Sequence, residues 1–134
     1  MIRLIDYSRD YFEQVENATV PKVREGKFVQ IARGDEEYIV FSPKGHCKYH
    51  SHIVDRFAEL QNLAVSTNHD KETVEFDDTD WRIIGGGKMK IDDSGKKIEL
   101  GGSSQAYGPF ERTGLTERLS EMANLEGYSV SFAD

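Results

Sequence analysis

The chain has 134 residues, of which 37% are hydrophobic and 31% are charged. This is the size and composition of one globular domain, and it excludes a disordered or a fibrous chain. The 24 acidic and 17 basic residues give a net charge of −7, which argues against a general nucleic-acid binder, since such a protein needs a basic face.

The first part of the chain predicts a helix, a β-hairpin and a second helix, in that order. Residues 1–17 carry apolar side chains at helical spacing, and we expect an N-terminal extension with a short helix beginning near Ser8. Residues 27–32 and 37–41 predict two strands joined by a tight turn. After the turn that follows, apolar residues fall on one face of a helix beginning near Ser51.

The second part of the chain predicts mainly strands. Leu115, Leu119 and Met122 have helical spacing, and residues 101–108 form a loop of small residues. Residues 18–134 are therefore expected to form one α/β domain of the α+β type, with a mixed sheet of five to six strands and two main helices. Strands are predicted at residues 74–76, 88–91, 97–100 and 128–132, and residues 81–84 form a short apolar run.

The N-terminus and the single cysteine indicate where the protein works. Arg3 and Asp6 interrupt the N-terminal apolar residues, so we predict no signal peptide. No apolar run approaches the roughly 18–20 residues that span a bilayer. Cys47 is alone and cannot form an intramolecular disulfide, which suits a reducing compartment. We expect a cytoplasmic monomer without membrane or nucleic-acid partners.

Residues 44–52 hold three of the four histidines and the only cysteine. One interpretation is a zinc site, because His and Cys are favoured ligands, but the spacing matches no standard finger and no second ligand pair exists. Another is an ordinary solvated turn. A third is one working histidine at a strand-to-helix junction, where imidazole suits proton transfer or nucleophilic attack near neutral pH.

Two phosphate-binding motifs are excluded because the chain lacks residues that each of them requires. A cysteine phosphatase built on Cys47 needs an arginine six positions on, where Ile53 stands. A P-loop around residues 85–88 needs glycine at position 82 and a hydroxyl at position 89, which are Arg82 and Met89. The glycine triplet is more typical of a bulge or kink in a strand.

The small residues at 101–109 suit a nest, in which backbone N–H groups converge on an anion. The hydroxyls of Ser103 and Ser104 would add donors. A plain connecting loop explains the same composition.

Four segments of the chain, taken in order, match one family pattern. They read VPKVREGKFV at 20–29, KYHSHIVD at 48–55, GGGKMKI at 85–91 and KKIELGGSSQAYGP at 96–109. They are similar to the segments I-P…G-x-F-K-Y-V, Y/W-H-x-D-I-Y, G-G-G-R-I and K-K-x-x-x-x-G-Y-S-x-A-Y-G-P of the phosphohistidine phosphatase (Janus/Ocnus) family. The chain resembles this family from about residue 18 to its end.

The resemblance implies a compact α/β domain that needs no metal or other cofactor and hydrolyses the P–N bond of phosphohistidine in other proteins. His50 matches the active-site histidine, which acts as proton acceptor or nucleophile. Lys27 matches the substrate-binding lysine, and Lys88 stands where the family usually has arginine. The loop that holds phosphate corresponds to Ser104, Gln105 and Ala106.

The chain departs from the family pattern at four places. Lys88 keeps the positive charge of the usual arginine but not its bidentate fork. His52 replaces an aspartate, and Gly102-Ser103 replaces the pair G-Y. The arginine expected before His50 has no clear match, and Lys44 is a candidate substitute.

We therefore predict a protein phosphohistidine phosphatase whose partners are histidine-phosphorylated proteins. Two alternatives stay open: a non-catalytic phosphate-binding regulatory module, and a broader phosphoramidate hydrolase that also accepts phospholysine. A basic mouth would help an acidic protein to meet such substrates, although the same lysines would also serve simply to solubilise loops. The lysines expected in this mouth are Lys44, Lys48, Lys88, Lys90, Lys96 and Lys97.

Overall fold

The computed structural model describes residues 1–70 and 72–133, which form a six-stranded mixed sheet, a two-stranded hairpin and three α-helices. The helices are α1 (Ser8–Phe12), α2 (His50–Gln61) and α3 (Leu115–Ser120), and a 3₁₀ turn follows at Ala123–Leu125. The strands are β1 (Ile2–Asp6), β2 (Val23–Arg33), β3 (Glu36–Pro43), β4 (Val65–Asn68), β5 (Thr73–Phe76), β6 (Trp81–Asp92), β7 (Lys97–Gly101) and β8 (Ser129–Phe132).

The main sheet has the strand order β1-β3-β2-β6-β7-β8, and β4 pairs with β5 as a separate hairpin. The four central strands pair antiparallel, whereas the edge strands β1 and β8 lie parallel to their neighbours. The predicted α+β domain with one mixed sheet is confirmed. Its main helix is α2, with 12 residues, and no helix in the described ranges is long and apolar enough to cross a membrane.

Each face of the sheet covers its own hydrophobic cluster, because alternate residues of a strand point to opposite faces. Phe28, Phe41 and Met89 belong to the cluster that includes Leu115 and Leu119 of α3. On the opposite face, the apolar side of α2 packs on β2 and β3. The cluster there includes Val29, Ile31, Val40, Ile53, Val54 and Phe57.

The N-terminal segment contains a strand that the sequence analysis did not predict. Ile2–Asp6 pairs with β3, and only then does the short α1 begin. The nearly buried guanidinium of Arg24 donates hydrogen bonds to Asp6 at 2.6 Å and to Asp93 at 2.7 Å. The strand β1 is thus connected to the rest of the domain by a charged network as well as by backbone pairing.

The glycine triplet lies inside one continuous strand, β6, rather than between two strands. Opposite it, Gln30 pairs with Gly85 but Ile31 pairs with Ile83, so Ile84 is an extra residue that bulges out of the ladder. The prediction of a strand irregularity at the triplet is confirmed. A side chain on Gly85 would collide with the carbonyl of Pro109, so the glycines allow the 104–109 loop to lie directly on β6.

Candidate functional site

His50 is the first residue of α2, and Tyr49 occupies the N-cap position instead of the predicted Ser51. The side chain of His50 is only 8% exposed and faces β6. Its Nε2 lies 3.0 Å from the carbonyl oxygen of Gly87. The apolar face of α2 holds the helix on the sheet, so the imidazole has a fixed position.

The contact with Gly87 decides which ring nitrogen of His50 carries the proton. A carbonyl oxygen only accepts hydrogen bonds, so Nε2–H must be the donor, and Nδ1 of the neutral ring keeps its lone pair. Nδ1 has no hydrogen-bond partner within the described part of the chain, and it is not among the fully buried polar atoms. This nitrogen is therefore available to a proton or to an electrophile.

The surroundings of His50 favour the neutral imidazole. Burial lowers its pKa below the usual 6.5, the hydrogen bond to Gly87 partly opposes this effect, and the positive charge of Lys27 lowers the pKa further. Near neutral pH the ring is therefore unprotonated, which is the form that a general base or nucleophile requires.

Removing the charge of Lys27 is expected to raise the pKa of His50, because the protonated imidazole would no longer be repelled by a neighbouring cation. The measurement is an NMR titration of the His50 ring in Lys27→Met. The matched control, Lys97→Met, removes one charge from the exposed end of β7 and should leave the titration unchanged. An unchanged His50 pKa in Lys27→Met would contradict this electrostatic coupling.

His50 and Ser104 meet above Gly86, although they are 54 positions apart in the sequence. A Cβ atom placed on Gly86 would lie 2.9 Å from His50 Cδ2 and 3.3 Å from Ser104 Cβ. The hydrogen bond from Gly86 N–H to the Gly108 carbonyl (3.2 Å) fixes the loop on β6 at this point. The structure thus brings the predicted histidine and the start of the predicted phosphate loop together.

The loop from Ser104 to Gly108 is closed by its own hydrogen bonds. Ser104 N–H donates to the Gly108 carbonyl at 3.0 Å, and Gly108 N–H donates back to the Ser104 carbonyl at 2.8 Å. The Ser104 hydroxyl accepts from Tyr107 N–H at 3.1 Å, and its own proton has no acceptor among the described residues. The amides of Gln105 and Ala106 have no acceptor there either. The free backbone donors of this loop are therefore the N–H groups of Gln105 and Ala106, to which the Ser104 hydroxyl adds a buried side-chain donor, and the Ser104 N–H is already used.

Lys27 and Lys88 are directly opposite each other on β2 and β6, on the face that α2 covers. Both line a cavity of about 980 Å³, which also receives Lys44, Lys48 and Lys90. We call it the lysine cavity; its other charged lining residues are Glu25 and Glu99.

The predicted basic mouth is thus only partly correct. Lys96 and Lys97 do not line the cavity, because they lie at the far end of the β6–β7 hairpin, where Lys97 pairs with Asp92 and Ser129. Lys27, which the sequence analysis assigned to phosphate binding and not to the mouth, does line it.

The other members of the His/Cys segment have separate surroundings. The His46 ring packs near Tyr11, with the ring centroids 5.6 Å apart, and His52 packs near Tyr49 at 5.3 Å. Cys47 is buried. In residues 1–70 and 72–133, no group of three or more His, Cys, Asp or Glu side chains is placed to hold a metal ion.

Two residues at the site were missed by sequence reasoning. Gly86 was treated only as part of a glycine triplet, although it is the point of contact between His50 and Ser104. Tyr107 fixes the neighbouring hairpin: its hydroxyl donates to the carbonyl of Val74 and accepts from the amide of Val74, both at 2.8 Å. Its burial raises its pKa to about 12, so it stays protonated. Two features of the sequence could have identified these residues. Position 86 is a glycine, which has no Cβ, and Tyr107 is a large residue inside a loop of small ones.

The family model described as Janus/Ocnus family (Ocnus) matches residues 12–128, which is most of the chain. No curated protein matches the sequence.

Proposed function

The chain belongs to the Janus/Ocnus family, and we propose that it is a protein phosphohistidine phosphatase that hydrolyses the P–N bond of phosphohistidine. The observation that carries the proposal is the free Nδ1 of His50, held beside the Ser104 loop by the hydrogen bond from Nε2 to Gly87. A fixed, neutral imidazole next to unused donors is what a phosphoryl-transfer site requires.

Phosphoryl transfer mainly needs correct positioning and compensation of negative charge. In our proposal, the amides of Gln105 and Ala106 and the hydroxyl of Ser104 donate to the phosphoryl oxygens. The ammonium groups of Lys27 and Lys88 compensate their charge. The positive end of the α2 dipole, at His50, adds a smaller favourable contribution.

Two routes use the same nitrogen of His50. As a base, Nδ1 takes a proton from water while the water oxygen bonds to phosphorus and the P–N bond breaks; the substrate's imidazole, already protonated on its other nitrogen, leaves as neutral imidazole. As a nucleophile, Nδ1 itself bonds to phosphorus while the substrate's P–N bond breaks and the same neutral imidazole leaves, and water then breaks the new P–N bond to release phosphate. Rapid quenching followed by mass measurement separates the routes, because only the second one leaves a phosphoryl group on His50.

The proposal is tested by phosphate release from a phosphohistidine protein, with phosphoserine protein and phospholysine as parallel substrates. We expect release from phosphohistidine and none from phosphoserine, whose leaving group is an alkoxide and needs stronger activation. The family resemblance implies no metal, so we expect the same rate with and without a chelator.

Other outcomes would support the alternatives. Equal release from phospholysine would favour the broader phosphoramidate hydrolase. Saturable binding of phosphate analogues without release from any substrate would contradict the phosphatase and favour a phosphate-binding regulatory module.

A further inference from the structure

The lysine cavity is a local positive region in a protein of net charge −7. Five lysines and two glutamates line it, so it carries an excess of three positive charges. None of the five lysines forms an ion pair with a carboxylate of residues 1–70 or 72–133. In the sheet Lys90 lies between Glu25 and Glu99, so the positive excess comes from the other four lysines, and such an excess favours an anionic ligand.

Several residues that line the cavity are neighbours of the proposed catalytic residues. His50 and Ser104 are not among its lining residues, but Lys48 precedes His50 by two positions and Ser103 directly precedes Ser104. On the sheet, Lys88 follows Gly87, the partner of His50. When the phosphohistidine of a substrate protein reaches His50, the substrate residues next to it therefore lie over the cavity.

The size of the cavity exceeds what one phosphoryl group needs. Its volume of about 980 Å³ is at the upper end of the roughly 300–1,000 Å³ typical of ligand sites. It has room for several side chains of a substrate in addition to the phosphorylated one.

The lining chemistry distinguishes between possible anions. Among the described residues that line the cavity there is no aromatic side chain for base stacking and no arginine for bidentate phosphate binding. Glu25 and Glu99 would repel a phosphate backbone, which has a negative charge at every unit, whereas a peptide can place its carboxylates on the lysines and donate its N–H groups to the glutamates. These features favour carboxylates carried on a polypeptide.

We propose that the lysine cavity docks an acidic segment of the protein substrate, Asp- and Glu-rich residues flanking the phosphohistidine. The proposal deepens the phosphatase function and rests on it for the position of the phosphohistidine. It makes the protein selective for histidines that lie in acidic surroundings.

The test variant is Lys48→Gln/Lys90→Gln, which leaves Lys27, Lys44 and Lys88 in place. The matched control is Lys96→Gln/Lys97→Gln, which removes the same charge from lysines that do not line the cavity. Substrates are two phosphohistidine peptides, one flanked by glutamates and one by glutamines, together with free phosphohistidine. We expect the test variant to raise KM for the acidic peptide about fivefold, as the loss of two surface ion pairs would. KM for the other two substrates and kcat for all three should stay unchanged.

A binding measurement separates this inference from the phosphatase proposal. Fluorescence anisotropy of an unphosphorylated, labelled Glu-rich peptide needs no turnover. Binding that weakens in the test variant, but not in the control, supports docking even if no substrate is hydrolysed. Equal KM changes for the acidic and neutral peptides would overturn the inference, and so would tighter binding of a labelled single-stranded oligonucleotide or of anionic lipid vesicles.

Discussion

Replacing His50 by glutamine is expected to lower phosphate release from phosphohistidine by about 10²-fold or more, the usual contribution of a positioned acid or base. The glutamine amide can place an N–H near the position of Nε2 and still donate to Gly87, so the buried carbonyl keeps its partner. What the variant lacks is a basic nitrogen at the position of Nδ1. The measurement is the initial rate of phosphate release from a phosphohistidine protein at neutral pH.

The matched control is His52→Gln, two positions further along the same helix. The His52 ring packs near Tyr49 and is exposed, so its loss removes a histidine without touching the Gly87 contact. We expect release within about twofold of the unchanged protein, as for a surface substitution. Equal loss in both variants, or no loss in His50→Gln with circular dichroism unchanged, would mean that His50 is not the reacting residue.

The sequence was sufficient for the elements whose signals are local. The β2–β3 hairpin has a Gly34 turn between two runs rich in apolar residues, and α2 has an apolar stripe that fits only one helical face. Both are where the pattern predicted them, with longer strands. In contrast, β1 has five residues that include two charges, and it is stabilised by pairing with β3, which is distant in the sequence.

The strand β6 shows how tertiary pairing overrides propensity. Glycine disfavours strands, so the local pattern predicts a strand at 88–91, after the triplet, and only an apolar run at 81–84 before it. In the fold, β2 provides a continuous partner for the whole of Trp81–Asp92, and the missing side chains are needed where the 104–109 loop crosses. A local pattern contains no information about that crossing.

For the candidate site, the sequence predicted the residues but not their hydrogen bonds. Resemblance to the family gave His50, the lysines and the Ser104 loop, and the fold does bring His50 and Ser104 together. The tautomer of His50 depends on its hydrogen bond to the Gly87 carbonyl. The Ser104 amide is unavailable to a ligand because it donates to the Gly108 carbonyl. Which backbone group faces a side chain is decided by register, and the sequence alone does not specify register across distant segments.

Among the residues of the site that carry no functional group, Gly86 is expected to be the one whose substitution lowers stability and activity most. The Cβ of Gly86→Ala would lie 2.6 Å from the Phe28 carbonyl oxygen and 2.9 Å from His50 Cδ2, both closer than real Cβ contacts. The carbonyl belongs to the β2–β6 ladder and cannot retreat, so the imidazole must move and its hydrogen bond to Gly87 must lengthen. We expect a stability loss of about 1–3 kcal/mol, typical of overpacking, and at least about tenfold slower phosphate release per folded molecule, since small displacements of a positioned group are costly.

The matched control for Gly86→Ala is Gly34→Ala in the β2–β3 turn. Gly34 has a φ of +57°, and no atom lies within 4 Å of a Cβ built there, so alanine brings backbone strain but no collision. That strain costs about 1 kcal/mol, which makes the two variants comparable in stability. Chemical denaturation measures the stability of each variant, and the release assay is corrected for the folded fraction. Because only Gly86→Ala crowds the His50 ring, only that variant should lose activity. Equal activity in both would show that the close approach of His50 to Gly86 does not position the imidazole.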